Sequence, residues 1–225
     1  MSWPAPANVA VVRISTTSGS VRVTAEPGRT DVWSRSSPVT STDESVTIDG
    51  GSSKVEMLVP EGTDLVIGTI SGKVTVDGRV GAVSALTTSG RIFVDHAVSV
   101  DARSTSGRVE VAHSDGECRV ISTSGKVQVG RCGAADAASG AGRIVLADAH
   151  GPVRANCTSG RITVSMAGAH DVDAETVSGR IEISFPSGVR PLVVSSAAAA
   201  AEAGPDHDCT VIARSGSSRV VVSNR

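Results

Sequence analysis

The side chains whose type and spacing best suit them to act on something are Lys73, Arg91, Arg108, Lys126, Arg143, Arg161 and Arg180. Each stands one residue after a glycine, in a recurring unit of the form Thr-Ser-Gly-Arg/Lys-Val/Ile. From Gly72 to Gly179 the glycines are separated by 18, 17, 18, 17, 18 and 19 residues, and looser copies centre on Gly19 and Gly216. Ammonium and guanidinium groups make charge-assisted hydrogen bonds to carboxylate and phosphate oxygens, so a regular file of them is an anion-binding device in outline. If equivalent residues stack at the usual sheet spacing of about 4.8 Å, the file is roughly 29 Å long. Its charges then lie within one Debye length and repel. Acids at nearby outward positions (Asp77, Asp95, Asp101, Glu110, Asp136, Asp173, Glu182) are patchy, which leaves an outside anion, either a polyanion or an acidic protein surface, as the candidate counter-charge. The competing explanation is that long cationic stems cover the glycine corner and keep sheet surfaces from associating while their heads stay solvated.

A second group lies where the repeat length varies. His96 and His113 both fall six residues after a glycine, with Asp95, Asp115, Cys132, Asp148 and His150 nearby. Stacked imidazoles could share a soft metal such as zinc. The spacing matches no recognised ligand motif, so polar surface is the expectation, and Asp206-His207-Asp208-Cys209 reads the same way. No cofactor is expected. Nor is an enzyme: no Asp or Glu column persists over adjacent repeats as glycoside chemistry or a lyase metal site needs, and no serine stands out as a nucleophile among so many equivalent ones. A polysaccharide-active β-helix enzyme is therefore the weakest of the alternatives.

The elements that hold these residues follow from the columns. Seven positions before each glycine stand Leu65, Val83, Val100, Cys118, Ala135, Val153 and Val172, and five before stand Ile67, Ala85, Ala102, Val120, Ala137, Ala155 and Ala174. Three before come hydroxyls or a thiol (Thr69, Thr87, Ser104, Ser122, Ser139, Cys157, Thr176), while Val, Ile or Leu fill the second and fourth positions after it. Apolar residues at every second position, most of them β-branched, specify strands with one buried face. A near-fixed period specifies stacking. The expected fold is an all-β, single-domain parallel β-solenoid (β-helix) with rungs of 17–19 residues, right-handed rather than left-handed. Residues 1–60 read as N-terminal strands with an irregular capping region over 24–53, residues 61–190 as the regular solenoid, and 191–225 as a C-terminal rung and cap, in one continuous domain. Pro191 to Val194 reads as a further strand and Ala197 to Ala203 as a short helix or loop. Each corner glycine is expected to supply a positive φ, with the hydroxyl beside it bonding the local backbone.

Bulk composition narrows the function classes. Lys plus Arg number 21 and Asp plus Glu 23, so no global charge excess marks a nucleic-acid or membrane-surface binder. Tyr is absent and there are two Trp and two Phe, which removes most stacking platforms for sugars and nucleobases. No stretch approaches a membrane span, and the N-terminus lacks the basic-then-apolar pattern of a secretory signal, so the expected location is cytoplasmic. Cys118, Cys132, Cys157 and Cys209 then read as reduced core residues.

The stretch Val55-Glu-Met-Leu-Val-Pro-Glu-Gly-Thr-Asp-Leu-Val-Ile-Gly-Thr-Ile-Ser-Gly-Lys-Val-Thr-Val, with the Thr-Ser-Gly-Arg/Lys-Val/Ile units after it, resembles the bacterial family labelled putative adhesin. That resemblance runs from about Val9 to Val222 and implies a β-solenoid domain of unknown function with no catalytic residues to carry over. Residues and resemblance together point to a non-catalytic binding or scaffold module, with a protein or polyanion partner. The first alternative is self-association into a cytoskeletal-type β-helix scaffold.

Overall fold

The structure is a computed structural model that describes residues 3–4, 10–35, 39–41, 45–195, 207–216 and 219–225. Ala197 to Ala203 and Asp206 lie outside the described residues. Fifteen strands form one sheet system. They are β1 (Trp3–Pro4), β2 (Val11–Thr16), β3 (Val21–Glu26), β4 (Trp33–Ser34), β5 (Thr40–Ser41), β6 (Ser45–Gly51), β7 (Val55–Pro60) and β8 (Asp64–Thr69), then β9 (Lys73–Thr87), β10 (Arg91–Ala149), β11 (Val153–Met166), β12 (Val172–Phe185), β13 (Pro191–Ser195), β14 (Cys209–Ser215) and β15 (Val220–Asn224). Among the described residues no helix is long and apolar enough to cross a membrane.

Pairing is parallel through the body of the stack, and partners are the residues that share a column. Leu65 pairs with Val83 and Val83 with Val100, while Ala135 pairs with Val153 and Val153 with Val172. All five inward columns are buried and join one apolar core. β10 runs without interruption through the corners at Gly107, Gly125 and Gly142, because the backbone stays extended there and keeps its ladder of hydrogen bonds.

A sixth inward column, which the periodicity did not reveal, lies on the side where repeat length varies: Val80, Ala97, Ser114, Cys132, Ala149 and Met166 are all buried. Register shifts fall just before it, between Val94 and His96 and between Leu146 and Ala149. A bulge adds or drops one residue and breaks strict alternation, which is why this column is hidden in the sequence.

Layer order departs from chain order at both ends. β2 lies between β6 and β8, and β3 between β7 and β9, so the first chain segment is inserted beneath the second. Residues 45–60, half of which read as irregular, form a regular outer layer instead. The irregular part is shorter: β4 and β5 lie antiparallel on β7 and β6, and β1 on β4. At the other end β13 is outermost and β14 slips between it and β12. Two-residue antiparallel strands blunt the N-terminal edge, a common protection against edge-to-edge pairing.

Candidate functional site

The corner glycines are required by distance more than by torsion. A Cβ on Gly90 would lie 1.9 Å from the Gly72 carbonyl oxygen, and one on Gly107, Gly125, Gly142, Gly160 or Gly179 would lie 1.8–2.0 Å from the glycine oxygen of the preceding layer. No side chain fits there. Of these glycines only Gly142 and Gly160 have a positive φ, at 155° and 154°, so the expected tight turn at every corner is replaced by near-extended backbone in close stacking contact. The local hydroxyl contact also differs from expectation. The Gly72 and Gly90 N–H groups donate to the Oγ1 atoms of Thr69 and Thr87, three residues upstream, at 3.0 and 2.9 Å.

With two residues on each strand fixed inward, the residue between corner and core must point out. Lys73, Arg91, Arg108, Arg143, Arg161 and Arg180 are exposed and Lys126 is half-buried. Arg91 pairs in register with Lys73, and Arg143, Arg161 and Arg180 follow one another. The file continues beyond the sequence reading. Gly216 stacks on Val177 and not on Gly179, and the cation level with Arg180 is Arg219, preceding Val220, which pairs with Ile181. At the other end Lys54 precedes Val55, beyond β3. Both were legible from the cation placed just before an alternating apolar pair. They were missed because the unit was anchored on its glycine.

Along Lys126, Arg143, Arg161, Arg180 and Arg219 the corner forms a groove of ≈ 800 Å³ floored by Gly125, Gly142, Gly160 and Gly179. Its other bank carries the exposed residue before each glycine, a serine in most layers (Ser89, Ser106, Ser124, Ser159, Ser178). Among the described residues the ladder makes few ion pairs: Arg180 to Glu182 at 3.5 Å, and Lys54 to Glu56 at its far end. The Lys54 contact holds the Glu56 carboxyl below its usual range, with burial opposing and Arg35 and Arg22 adding smaller pulls.

The outward column six residues before each glycine behaves differently. It runs Asp101, Arg119, Asp136, Arg154, Asp173, alternating in sign from layer to layer. Arg119 reaches Asp136 at 3.6 Å, Asp101 is held by Arg103 at 3.2 Å, and Asp173 lies 3.5 Å from Arg214. These acids, counted at first as potential partners of the ladder, are engaged elsewhere.

The histidine group does come together in part. His96 and His113 stack with ring centroids 5.8 Å apart, and His96 Nε2 lies 2.9 Å from Asp115, whose other oxygen takes Arg79 at 2.8 Å. The His96 hydrogen bond is the main reason that the Asp115 carboxyl sits below its usual range. His150 bonds Asp148 instead. Cys132, one of the potential ligands, is turned into the core. Among the described residues no group of three or more His, Cys, Asp or Glu is arranged to hold a metal ion. All four cysteines are free thiols, buried, and pushed up in pKa chiefly by that burial, Cys132 to about 11.

An all-β stack of mostly parallel strands, carrying one same-sign corner along its length, places the molecule among solenoid-like repeat folds. Residues 35–220 match the toastrack family DUF4097, and the chain belongs to that family. It is similar over 100% of its length to the crystal structure of a putative adhesin from Bacteroides fragilis NCTC 9343, of which it covers 96%, at 12% identity and a TM-score of 0.49. No curated protein matches it.

Proposed function

We propose that the protein is a non-catalytic binding module that docks a linear polyanion along the file from Lys73 to Arg219. In this reading each layer is one rung of a right-handed β-solenoid, the hand that parallel crossovers favour. One observation carries the proposal: a column of outward residues in the same stack alternates Asp and Arg, whereas the corner column repeats one sign. The fold therefore permits self-neutralisation, and the corner does not use it. If the cations served only to cover glycine and keep surfaces apart, alternating charges would do so without mutual repulsion at about 4.8 Å spacing. Replacing Arg108, Lys126 and Arg143 with Glu should abolish retention on a heparin or phosphate resin at low salt. Retention at the wild-type level would remove the ladder from function.

A second reading, end-to-end association, is favoured by the unequal ends. Among the described residues the N-terminal layer is covered by antiparallel strands, while β13 and β15 are outermost at the other end and Val194 is exposed. That asymmetry supports a pair joined at the C-terminal end over an open filament. Sedimentation equilibrium separates the readings, since a concentration-independent monomer excludes the pair.

A further inference from the structure

We infer that the occupant of the corner groove is a ring-free chain of phosphates, laid along the stacking axis with its phosphoryl oxygens on the ladder. This rests on the docking reading above and adds to it the direction and chemical class of the ligand. Direction follows from the layout. The cations recur once per layer, and the backbone beneath them is already paired from layer to layer, as Gly142 with Gly160 and Gly160 with Gly179. An added peptide strand finds no free edge here. The occupant must cross the strands, over about 34 Å for seven intervals at the sheet spacing.

Chemical class follows from what lines the groove. Its floor is glycine, so a slim unbranched chain can lie against the backbone. Six of the eight cations from Lys73 to Arg219 are arginines, whose planar fork suits oxyanions with more than one free oxygen, and the serine bank offers hydroxyl donors opposite. The outward positions beside the cations are Thr75, Phe93, Glu110, Gln128, Val145, Thr163 and Glu182, with one aromatic among seven. Nucleobases and sugar rings draw much of their affinity from aromatic platforms. A chain of nucleotides or sugars would leave its rings unsupported here and bring them against Glu110 and Glu182. A phosphate chain without rings meets neither problem.

Inorganic polyphosphate and polyglycerol phosphate share that chemistry and serve as separate probes. Titration of the full chain should show long-chain forms of one or both binding with a slope of log K against log salt of roughly −5 to −6, the value for eight phosphates neutralised on a single strand. Tripolyphosphate, too short to span the ladder, should bind about a hundredfold more weakly. Changing Arg143 and Arg161 to Ala should lower the slope by about two. Equal affinity for tripolyphosphate and the long chains would overturn the axis-long seat. Tighter binding of heparin or single-stranded DNA than of either phosphate chain would overturn the ring-free class and leave the docking reading standing. If none of these polyanions binds, both fail.

Discussion

At Gly107 a methyl group has nowhere to go, because its carbon would sit 2.0 Å from the Gly90 carbonyl oxygen, whereas at Gly68 it would meet nothing within 4 Å. Gly107→Ala should therefore destabilise by about 1–3 kcal/mol or more through overpacking against backbone that cannot move aside. Gly68→Ala, in a strand of the same stack, should be neutral or stabilise by up to about 1 kcal/mol by stiffening the unfolded chain. Thermal unfolding of the two variants checks this, at about 2–4 °C per kcal/mol for a chain of this size. Equal effects would mean that close stacking is not why the corner is glycine. The cysteines make a separate residue-scale prediction. The folded state holds the Cys132 proton more tightly than the unfolded state does, so the associated stability is complete below the ordinary thiol value of 9.0 and is lost as pH rises toward about 11. The urea midpoint should fall across that window, and less so in Cys132→Ala. A midpoint independent of pH there would contradict the burial of the thiol.

The column three residues before each glycine is a file of buried hydroxyls whose members do not all have the same partners. Thr69 and Thr87 accept a glycine N–H, and Thr16 donates to Thr69 at 3.0 Å. Ser104, Ser122, Ser139 and Thr176 have hydroxyl oxygens that are buried without a hydrogen-bond partner among the described residues. An unpaired buried hydroxyl costs stability, and a lost partner costs more than a lost pair. Ser122→Ala should then leave stability unchanged or raise it, while Thr87→Val, which strands the Gly90 N–H, should cost about 1–3 kcal/mol. Denaturant melts decide the matter, and a larger loss for Ser122→Ala than for Thr87→Val would reverse the assignment. Strand faces were the most legible part of the sequence, because a period of two across a glycine leaves only one way to bury valine and isoleucine. Layer order at the ends was not legible. The inward patterns of β2 and β6 are interchangeable, and alternation says which face is buried but not which neighbour lies beside it. The ladder was legible for the same reason as the core. Its last member, Arg219, was hidden by a glycine that belongs two positions earlier in the layer.

On the scale of the whole molecule, two charge patterns share one stack. The alternating column ties its own layers together with modest, solvent-exposed ion pairs, each worth about 0–1 kcal/mol. The corner column spends nothing on internal pairing over most of its length and keeps a continuous positive edge beside a glycine-floored groove. Which outward acids pair and which do not could not be read from the sequence, since Asp101 and Asp136 are near the corner cations in number and belong to a different column. The most direct measurement compares two triple reversals with equal changes in net charge: Arg108, Lys126 and Arg143 to Glu on the ladder, and Arg13, Arg131 and Arg154 to Glu away from it. Binding of long-chain polyphosphate at low salt should be lost in the first and largely kept in the second. Equal losses in both would show that net charge, and not the ladder, governs binding.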